Sequence, residues 1–526
     1  MRVLLVYPEF PISYWGFQHT MRLAGKKALM PPLGLITVAA MCPTDWEFRL
    51  VDMNVEGLTA AHLKWAELAM IGGMAVQQES LHAVVQRCKQ AGVRTVVGGP
   101  YATSSPEKMA GVDHLVLDEA EITLPGFLRD LRDGCAGPDY TANGEKPDVT
   151  LTPRPRLDLL KMELYQDMCL QYSRGCPFNC EFCDIITLYG RQPRTKSSSQ
   201  LLAEMQALYD LNYRGRLFLV DDNFIGNKKN VKKFLPDLIV WMKEHNYPFW
   251  LYTEASVNLA DDDELLEMLS EAGFTMIFVG IETPSMESLK ETQKTQNMTG
   301  DLLSKVHKVQ AAGMEVMGGF IIGFDNDTED IFQAQIEFIT RARIDSAMIG
   351  ILTALPRTQL WDRLQREGRL LGDSTGDQFG MTNFVTRLPQ DKLLTGYSDI
   401  LATLYSPANH FARLYNSIDA IPLKRSPLLG GVPWSVGLRL AYSLLRVVCL
   451  QSLSDHGSTY LGFLWRVVRK HPEKLLMAIS SAARGYHFIR YTRETVLPRL
   501  RVSAEQAAAS MPLPARPAEE PSLVLH

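Results

Sequence analysis

Ser173-Arg174-Gly175-Cys176-Pro177-Phe178-Asn179-Cys180-Glu181-Phe182-Cys183-Asp184 is the stretch on which the reading of this chain turns. Its cysteines are spaced C-x3-C-x2-C. Three thiolates so close in sequence can ligate three irons of one 4Fe–4S cubane and leave the fourth iron open, where a full set would be four thiolates. An open iron is a place for a substrate or cofactor. Zinc is the other metal reading, but a closed structural zinc site takes a fourth ligand, usually from a paired C-x2-C or His spacing. The neighbouring sequence offers none. Three buried cysteines without a role are the plain alternative. The glycine before them and the proline and aromatic residues between them weigh against it.

Outward from this run, the 526 residues leave room for three or four domains. A net charge of −5 gives no case for nucleic acid as a partner. Eight cysteines in so long a chain do not read as a disulfide framework. Cys42, Cys88, Cys135, Cys169 and Cys449 are scattered and read as small apolar residues. A reduced, cytoplasmic setting is implied. Arg2 to Tyr7 is too short for the apolar core of a signal peptide. Val436 to Leu450 comes nearest to a spanning segment, and Arg439 and Arg446 break it.

Residues 1–135 alternate short apolar strands with helical stretches. Strands are expected at Val3–Tyr7, Phe48–Asp52, Leu68–Gly72, Thr95–Gly99 and His114–Leu117, with helices at Leu33–Met41 and Ser80–Ala91. Such alternation predicts an α/β domain, a doubly wound parallel sheet covered on both faces, with ligands beyond the carboxyl ends of its strands. Residues 136–160, rich in Gly, Pro, Asp and Thr, read as a linker. Alternation resumes over 161–385, with strands expected at Met168–Ser173, Leu217–Asp221, Trp250–Glu254, Met276–Glu282, Val316–Ile322 and Ala347–Leu352. Helices are expected between them at Ser199–Asp210, Asn230–Lys243 and Asp263–Ala272. Residues 386–502 are helical in pattern, and 503–526 read as a disordered tail.

Small or polar residues recur where these later strands end: Val220-Asp221-Asp222-Asn223-Phe224, Thr253-Glu254-Ala255-Ser256, Val279-Gly280-Ile281-Glu282-Thr283 and Phe320-Ile321-Ile322-Gly323-Phe324. Carboxylates and hydroxyls there can hold a ribose diol or an ammonium group, and Gly280 allows close backbone approach. Ordinary strand-end capping is the alternative for any one of them.

The cysteine run, with aromatic Phe182 before the last cysteine, resembles the cluster motif of the radical S-adenosylmethionine (radical SAM) superfamily. The resemblance implies a partial (β/α)6 barrel with its site at the strand C-termini. It implies a 4Fe–4S cluster on Cys176, Cys180 and Cys183, with SAM chelating the open iron and cleaved to a 5′-deoxyadenosyl radical. Phe182, Asp222, Glu254, Ser256, Gly280 and Glu282 are its candidate SAM contacts. No further catalytic residue is assigned.

The first domain resembles the cobalamin-binding (Rossmann-like) domain of one radical SAM class. The matching stretches are Tyr7-Pro8, Met30-Pro31-Pro32-Leu33-Gly34-Leu35, Asp52-Met53-Asn54, Gly72-Gly73-Met74, Gly98-Gly99-Pro100-Tyr101 and Asp118-Glu119-Ala120-Glu121. From these, Tyr7, Asp52, Gly72, Gly73, Met74, Gly98, Gly99, Pro100 and Glu119 are the implied cobalamin contacts. The D-x-H-x-x-G run that supplies a cobalt-ligating His in many cobalamin enzymes is absent, and His62 stands at the wrong spacing. Two readings stay open: cobalamin bound without a protein His, against the Gly73-Met74-Ala75-Val76 loop, or a domain that has lost the cofactor.

Tyr405 through Arg413 and Gly485-Tyr486-His487-Phe488 resemble the helical extension of a subset that includes the hopanoid C-2 methylases. Between Phe411 and Arg501 stand fourteen Lys/Arg and four Asp/Glu, interleaved with Trp434, Tyr460 and Trp465. Basic, apolar helices read as contact with anionic lipid; a solvated helical bundle is the alternative. His487 reads as a structural residue.

Together these imply a cobalamin-dependent radical SAM methyltransferase. It would act on an unactivated carbon of an apolar, isoprenoid-like small molecule, with flavodoxin or ferredoxin as reductant and peripheral contact at the inner face of the membrane. Ring closure or rearrangement by the same parts is the alternative within the class. An iron–sulfur carrier or sensor is the alternative outside it.

Overall fold

The computed structural model describes residues 1–374, 376–424 and 434–509, with the side chains of 434–436, 439 and 440 left aside, so the side chain of Trp434 lies outside the described residues. Five strands open the chain: β1 (Arg2–Tyr7), β2 (Glu47–Asp52), β3 (Leu68–Gly72), β4 (Arg94–Gly98) and β5 (His114–Val116), followed by β6 (Asp139–Tyr140). They form one sheet in the order β2-β1-β3-β4-β5-β6, all parallel. The period of two along a strand divides its residues between two cores. Leu4, Val6, Ala69 and Ile71 pack on one face, and Val3, Leu5, Leu68, Met70 and Val96 on the other. Both faces are buried, as a parallel sheet requires. The strand order reverses at β1 and β3, which places a crevice beyond Tyr7 and Gly72.

The stretch 136–160 is more than a connector, since Asp139–Tyr140 pairs with Leu115–Val116 at the sheet edge. Tyr140 holds it there, its hydroxyl donating to Asp130 at 3.0 Å and accepting Gly137 N–H at 2.9 Å.

The second body begins with β7 (Met168–Leu170). A two-stranded ribbon follows, β8 (Ser173–Arg174) and β9 (Arg194–Thr195), and then β10 (Gly215–Leu219), β11 (Phe249–Ala255), β12 (Phe274–Glu282), β13 (Glu315–Ile322) and β14 (Ala347–Ile351). Strands β7, β10, β11, β12, β13 and β14 pair in parallel in sequence order, and the β7 and β14 edges stay apart, giving an open six-stranded barrel. The first strand is expected to run to Ser173 but stops at Leu170. Asp221 accepts the N–H groups of Tyr172 (2.7 Å) and Ser173 (3.0 Å), which turns the chain away into the ribbon.

Among the described residues, six helices follow the barrel: Gln390–Leu404, Pro407–Ala420, Trp434–Ser452, Gly457–Lys470, Leu475–Tyr491 and Leu497–Ala509. The last extends into the expected tail, because Ala504, Ala507, Ala508 and Ala509, with Glu505 and Gln506, favour helix. Residues 510–526, the rest of that expectation, lie outside the described residues. Helix Leu475–Tyr491 packs on Gln18–Ala24 and on Pro407–Ala420. The two C-terminal stretches singled out above therefore meet: a Cβ at Gly485 would collide with the ring of His410. His487 is a satisfied structural residue, its Nε2 2.9 Å from the Ser13 carbonyl and its pKa lowered to about 3 by burial.

Candidate active site

The cysteine loop is built around Gly175, whose φ is +92° and whose Cβ, were there one, would lie 2.9 Å from the Gly190 carbonyl. Only glycine suits such a place. Gly175 N–H donates to Asp222 (2.9 Å) and Cys176 N–H to the Gly190 carbonyl (3.2 Å). Strand-end and ribbon thereby fix where the thiols begin. Asn223 Nδ2 donates to Cys176 Sγ (3.7 Å) and to Ser256 Oγ (3.2 Å), and Gln296 Nε2 donates to Cys180 Sγ (3.5 Å). Burial pushes up the thiols of Cys176 and Cys183, and the Lys294 ammonium pulls both down.

Lys294 is the hub of this side. Its Nζ lies 2.6 Å from Glu282 Oε1 and 5.9 Å from the Phe182 ring centre. Burial works against its charge, and Glu282 and Cys180 more than restore it. Glu282 reaches it from a left-handed backbone (φ +65°) after a register shift between Gly280 and Glu282. A strained non-glycine residue at a strand end is a feature that clusters at functional sites. A Cβ at Gly280 would sit 3.0 Å from Lys294 Nζ, so glycine leaves the pair its room.

Among the described residues, no three His, Cys, Asp or Glu side chains converge as ligands of a single ion. A cubane spreads its cysteine ligands over separate irons. Three thiols on one glycine-started loop, with the Asn223 and Gln296 amides donating to two of them and the Lys294 charge nearby, fit that chemistry.

Beside this group runs a cavity of about 2260 Å³. Alternate residues of the barrel strands line it: Cys169 and Gln171; Arg216, Phe218, Val220 and Asp222; Trp250, Tyr252 and Glu254; Met276 and Phe278; Glu315 and Met317. This is one face of the sheet from β7 to β13, at the period of two. Asp184, Ile185, Leu188 and Tyr189, just past the last cysteine, continue the wall. Burial, with Asp222 and Asp221 nearby, pushes Glu254 up to about 8, and burial pushes Asp222 up to about 6.

The opposite wall is the end of the first sheet, with Tyr7, Gly72, Gly73, Met74, Gly98, Gly99, Pro100 and Glu119, and the start of helix Leu33–Met41 at Gly34. Glycine is required at Gly98, where a Cβ would fall 2.6 Å from the Val116 carbonyl, and at Gly99, with φ +88°. Met74 is 49 % exposed. Charge ties the two walls together. Arg174 binds Glu119 (3.0 Å) and Glu121 (2.9 Å), and Arg194 binds Glu119 (2.8 Å). Arg174 lies two residues before Cys176, so the first sheet helps to place the cysteine loop.

The structure thus brings together Asp222, Glu254 and the glycine-side candidates on one cavity. Cys176, Cys180, Cys183, Phe182, Ser256, Gly280 and Glu282 gather beside it around Lys294 and Asn223. Asp52 stands apart: it is not on the wall, and Asn54 and the Tyr165 hydroxyl (3.0 Å) hold it. Sequence reading missed the roles of Asn223, Lys294, Gln296 and Arg174. Asn223 could have been found beside Asp222; Lys294 and Gln296 lie in a loop with no periodicity to mark them.

Residues 170–339 match the radical SAM superfamily, and residues 358–498 match a domain of unknown function, DUF4070. The chain is 44 % identical to an uncharacterized methyltransferase of Synechocystis sp. over 94 % of this chain and 92 % of that protein. It is 34 % identical to the hopanoid C-2 methylase of Rhodopseudomonas palustris over 94 % of each. Among solved structures, the radical enzyme OxsB with aqua-cobalamin and S-adenosylmethionine bound aligns at TM-score 0.59 and 15 % identity, over 97 % of this chain and 84 % of that one. The methyltransferase TsrM of Kitasatospora setae aligns at 0.60 and 15 %, over 78 % and 90 %. These likenesses show the same fold.

Proposed function

We propose, from the premise that this chain belongs to the radical SAM superfamily and is a relative of the hopanoid C-2 methylase, that it methylates an unactivated carbon of an elongated apolar small molecule. When bound, the 4Fe–4S cluster with SAM supplies the radical that removes hydrogen from that carbon, and cobalamin supplies the methyl group that replaces it.

The observation that carries this reading is the single cavity with a glycine-edged wall on one side and a carboxylate-edged wall on the other. Cys176, Cys180 and Cys183 are the cluster ligands; Asn223 and Gln296 donate toward the thiolates, and the nearby Lys294 charge favours their ionised form. Asp222 and Glu254 face the cavity and suit a ribose or a cationic sulfonium. Ser256, Gly280, Glu282 and Phe182 shape the approach from the cluster side. Gly72, Gly73, Gly98 and Gly99 leave backbone bare for a broad flat group, with Tyr7, Met74, Pro100 and Glu119 around it. The chain's task is placement, since a radical must form beside its target carbon. Trp15, Phe17, Met21 and Phe379 also line the cavity and support an apolar substrate. A reductant such as flavodoxin or ferredoxin feeds the cluster. No helix among the described residues is long and apolar enough to cross a membrane, and the basic C-terminal helices support peripheral contact at its cytoplasmic face.

Anaerobic reconstitution tests this. The chain is expected to hold iron, sulfide and a corrinoid, to release 5′-deoxyadenosine from SAM, and to pass the labelled SAM methyl group into a lipid extract. Deoxyadenosine without labelled product would turn the reading to ring closure or rearrangement. Loss of all of these signals would remove it.

A further inference from the structure

The outer faces of two C-terminal helices are apolar where a surface helix is ordinarily polar. On Trp434–Ser452, Leu438, Tyr442, Leu445 and Cys449 recur at helical spacing and are all exposed, with Leu453 just beyond. On Gly457–Lys470, Leu461, Trp465 and Val468 do the same. Tyr442 and Trp465 are each 68 % exposed, and Leu453 is 84 % exposed. The two helices are in contact, so the stripes lie on neighbouring supports. Apolar stripes of this extent on a folded surface mark an interaction site.

Charge decides the occupant. Residues 434–470 carry Arg439, Arg446, Arg466, Arg469 and Lys470 against the single acid Asp455, and Asp455 is paired with Arg493. The exposed Arg466, Arg469 and Lys470 have no carboxylate partner among the described residues. A symmetric pairing with a second copy would set this basic face against itself. An anionic lipid surface supplies the missing charge and accepts the apolar stripes. The inner side of Trp434–Ser452 faces the cavity, whose wall includes Ser443, Leu444, Arg446 and Val447, with Lys424 beside them. One helix therefore stands between the apolar stripe and the cavity.

We propose that helices Trp434–Ser452 and Gly457–Lys470 dock this face on an anionic phospholipid bilayer, and that the apolar substrate passes from the bilayer to the cavity beside Trp434–Ser452. The proposal rests on the apolar-substrate reading above and deepens its membrane contact into a defined surface.

Flotation of the full chain with vesicles tests it, using phosphatidylcholine alone and phosphatidylcholine mixed with phosphatidylglycerol. Binding is expected to the anionic vesicles only and to weaken with salt. The triple variant Tyr442→Ser, Leu445→Ser, Trp465→Ser, altered only at exposed positions, is expected to melt like the parent and lose partitioning by about tenfold or more. Labelling of Cys449 by a polar maleimide is expected to slow when anionic vesicles are added. A triple variant that floats like the parent, or Cys449 labelling unchanged on vesicles that bind the chain, overturns the docking face and leaves membrane contact standing. A parent that floats on neither vesicle overturns both, while methyl transfer to a detergent-dispersed substrate is read separately. A dimer in sedimentation equilibrium that the triple variant dissolves also overturns it, by assigning the face to self-association.

Discussion

The two parallel sheets meet one cavity in opposite ways. The barrel ends its strands in side chains: Asp222, Glu254 and Glu282, with Lys294 and the cysteine loop beside them. The first sheet ends its strands in bare backbone: Gly72 and Gly73 at the end of β3, Gly98 and Gly99 at the end of β4. The difference follows from what each edge would hold. A small charged ligand is gripped by individual groups whose ionisation the protein sets. A broad flat ligand needs area, and a side chain at the contact would hold it off. The same class of sheet serves both ends because strand termini tolerate either choice while the buried strands cannot.

The largest effect belongs to the side-chain edge. Cys176→Ala, Cys180→Ala or Cys183→Ala is expected to bring 5′-deoxyadenosine formation to background, with iron and sulfide content falling in step. Corrinoid content should stay near that of the parent, because the glycine wall is untouched. Joint loss of both cofactors would mean that the two edges are one cooperative unit, joined through Arg174 and Glu119. The reverse probe is Gly34→Phe. Gly34 lies on the cavity wall, and a Cβ there would meet nothing within 4 Å, so a ring can enter without distorting the fold. Corrinoid affinity is expected to fall by about tenfold or more, the scale of an overfilled site, while iron content is kept. Unchanged corrinoid absorbance would move the flat ligand away from this wall.

Legibility divides along the same line. Parallel strands buried on both faces are continuous apolar runs, so Leu4–Val6, Ala69–Ile71 and Val316–Ile322 announce themselves. The end of β7 does not, because Asp221, some fifty residues on, draws Tyr172 and Ser173 out of the sheet. β6 is only two residues long, beneath any periodicity. In the site, thiols at fixed spacing and glycines at strand ends are local signals. Gln296 reaches the Cys180 thiol, and the Lys294 charge acts on the cysteines, across more than a hundred residues, and only the folded chain joins them. Asp52 shows the converse, a suggestive strand-end carboxylate used for internal bonding.

A middle-sized effect tests whether the Lys294–Glu282 pair is more than a ligand set. Both side chains are largely withdrawn from water. Lys294→Gln leaves the Glu282 carboxylate without its ammonium, and breaking a buried pair in this way costs about 3–5 kcal/mol. The urea midpoint of the cofactor-free chain should drop accordingly, and adding Glu282→Gln should recover most of the loss. A midpoint that does not move would show the pair to be solvated and its contribution to lie in the bound state alone.

The smallest effect is a slope. Burial first, then the charges of Asp222 and Asp221, carries Glu254 from 4.5 to about 8. Between those values the folded chain keeps a proton that the unfolded chain has released. Unfolding then gives up a proton, and stability falls as pH rises, by up to about 1.4 kcal/mol per pH unit from this group. The contribution is complete below the unfolded value and gone once pH has passed through the folded one. Asp221, at about 7, acts with the same sign, so Glu254→Gln should reduce the slope between about pH 5 and 8 without abolishing it. Urea unfolding of the cofactor-free chain across that range measures it. A cation bound beside Glu254 favours the charged carboxylate, so SAM affinity should rise over the same range in the parent and rise less in the Gln variant. Equal slopes in both proteins, with equal pH dependence of SAM binding, would remove Glu254 from the carboxylate edge and leave Asp222 as the group that meets the ligand.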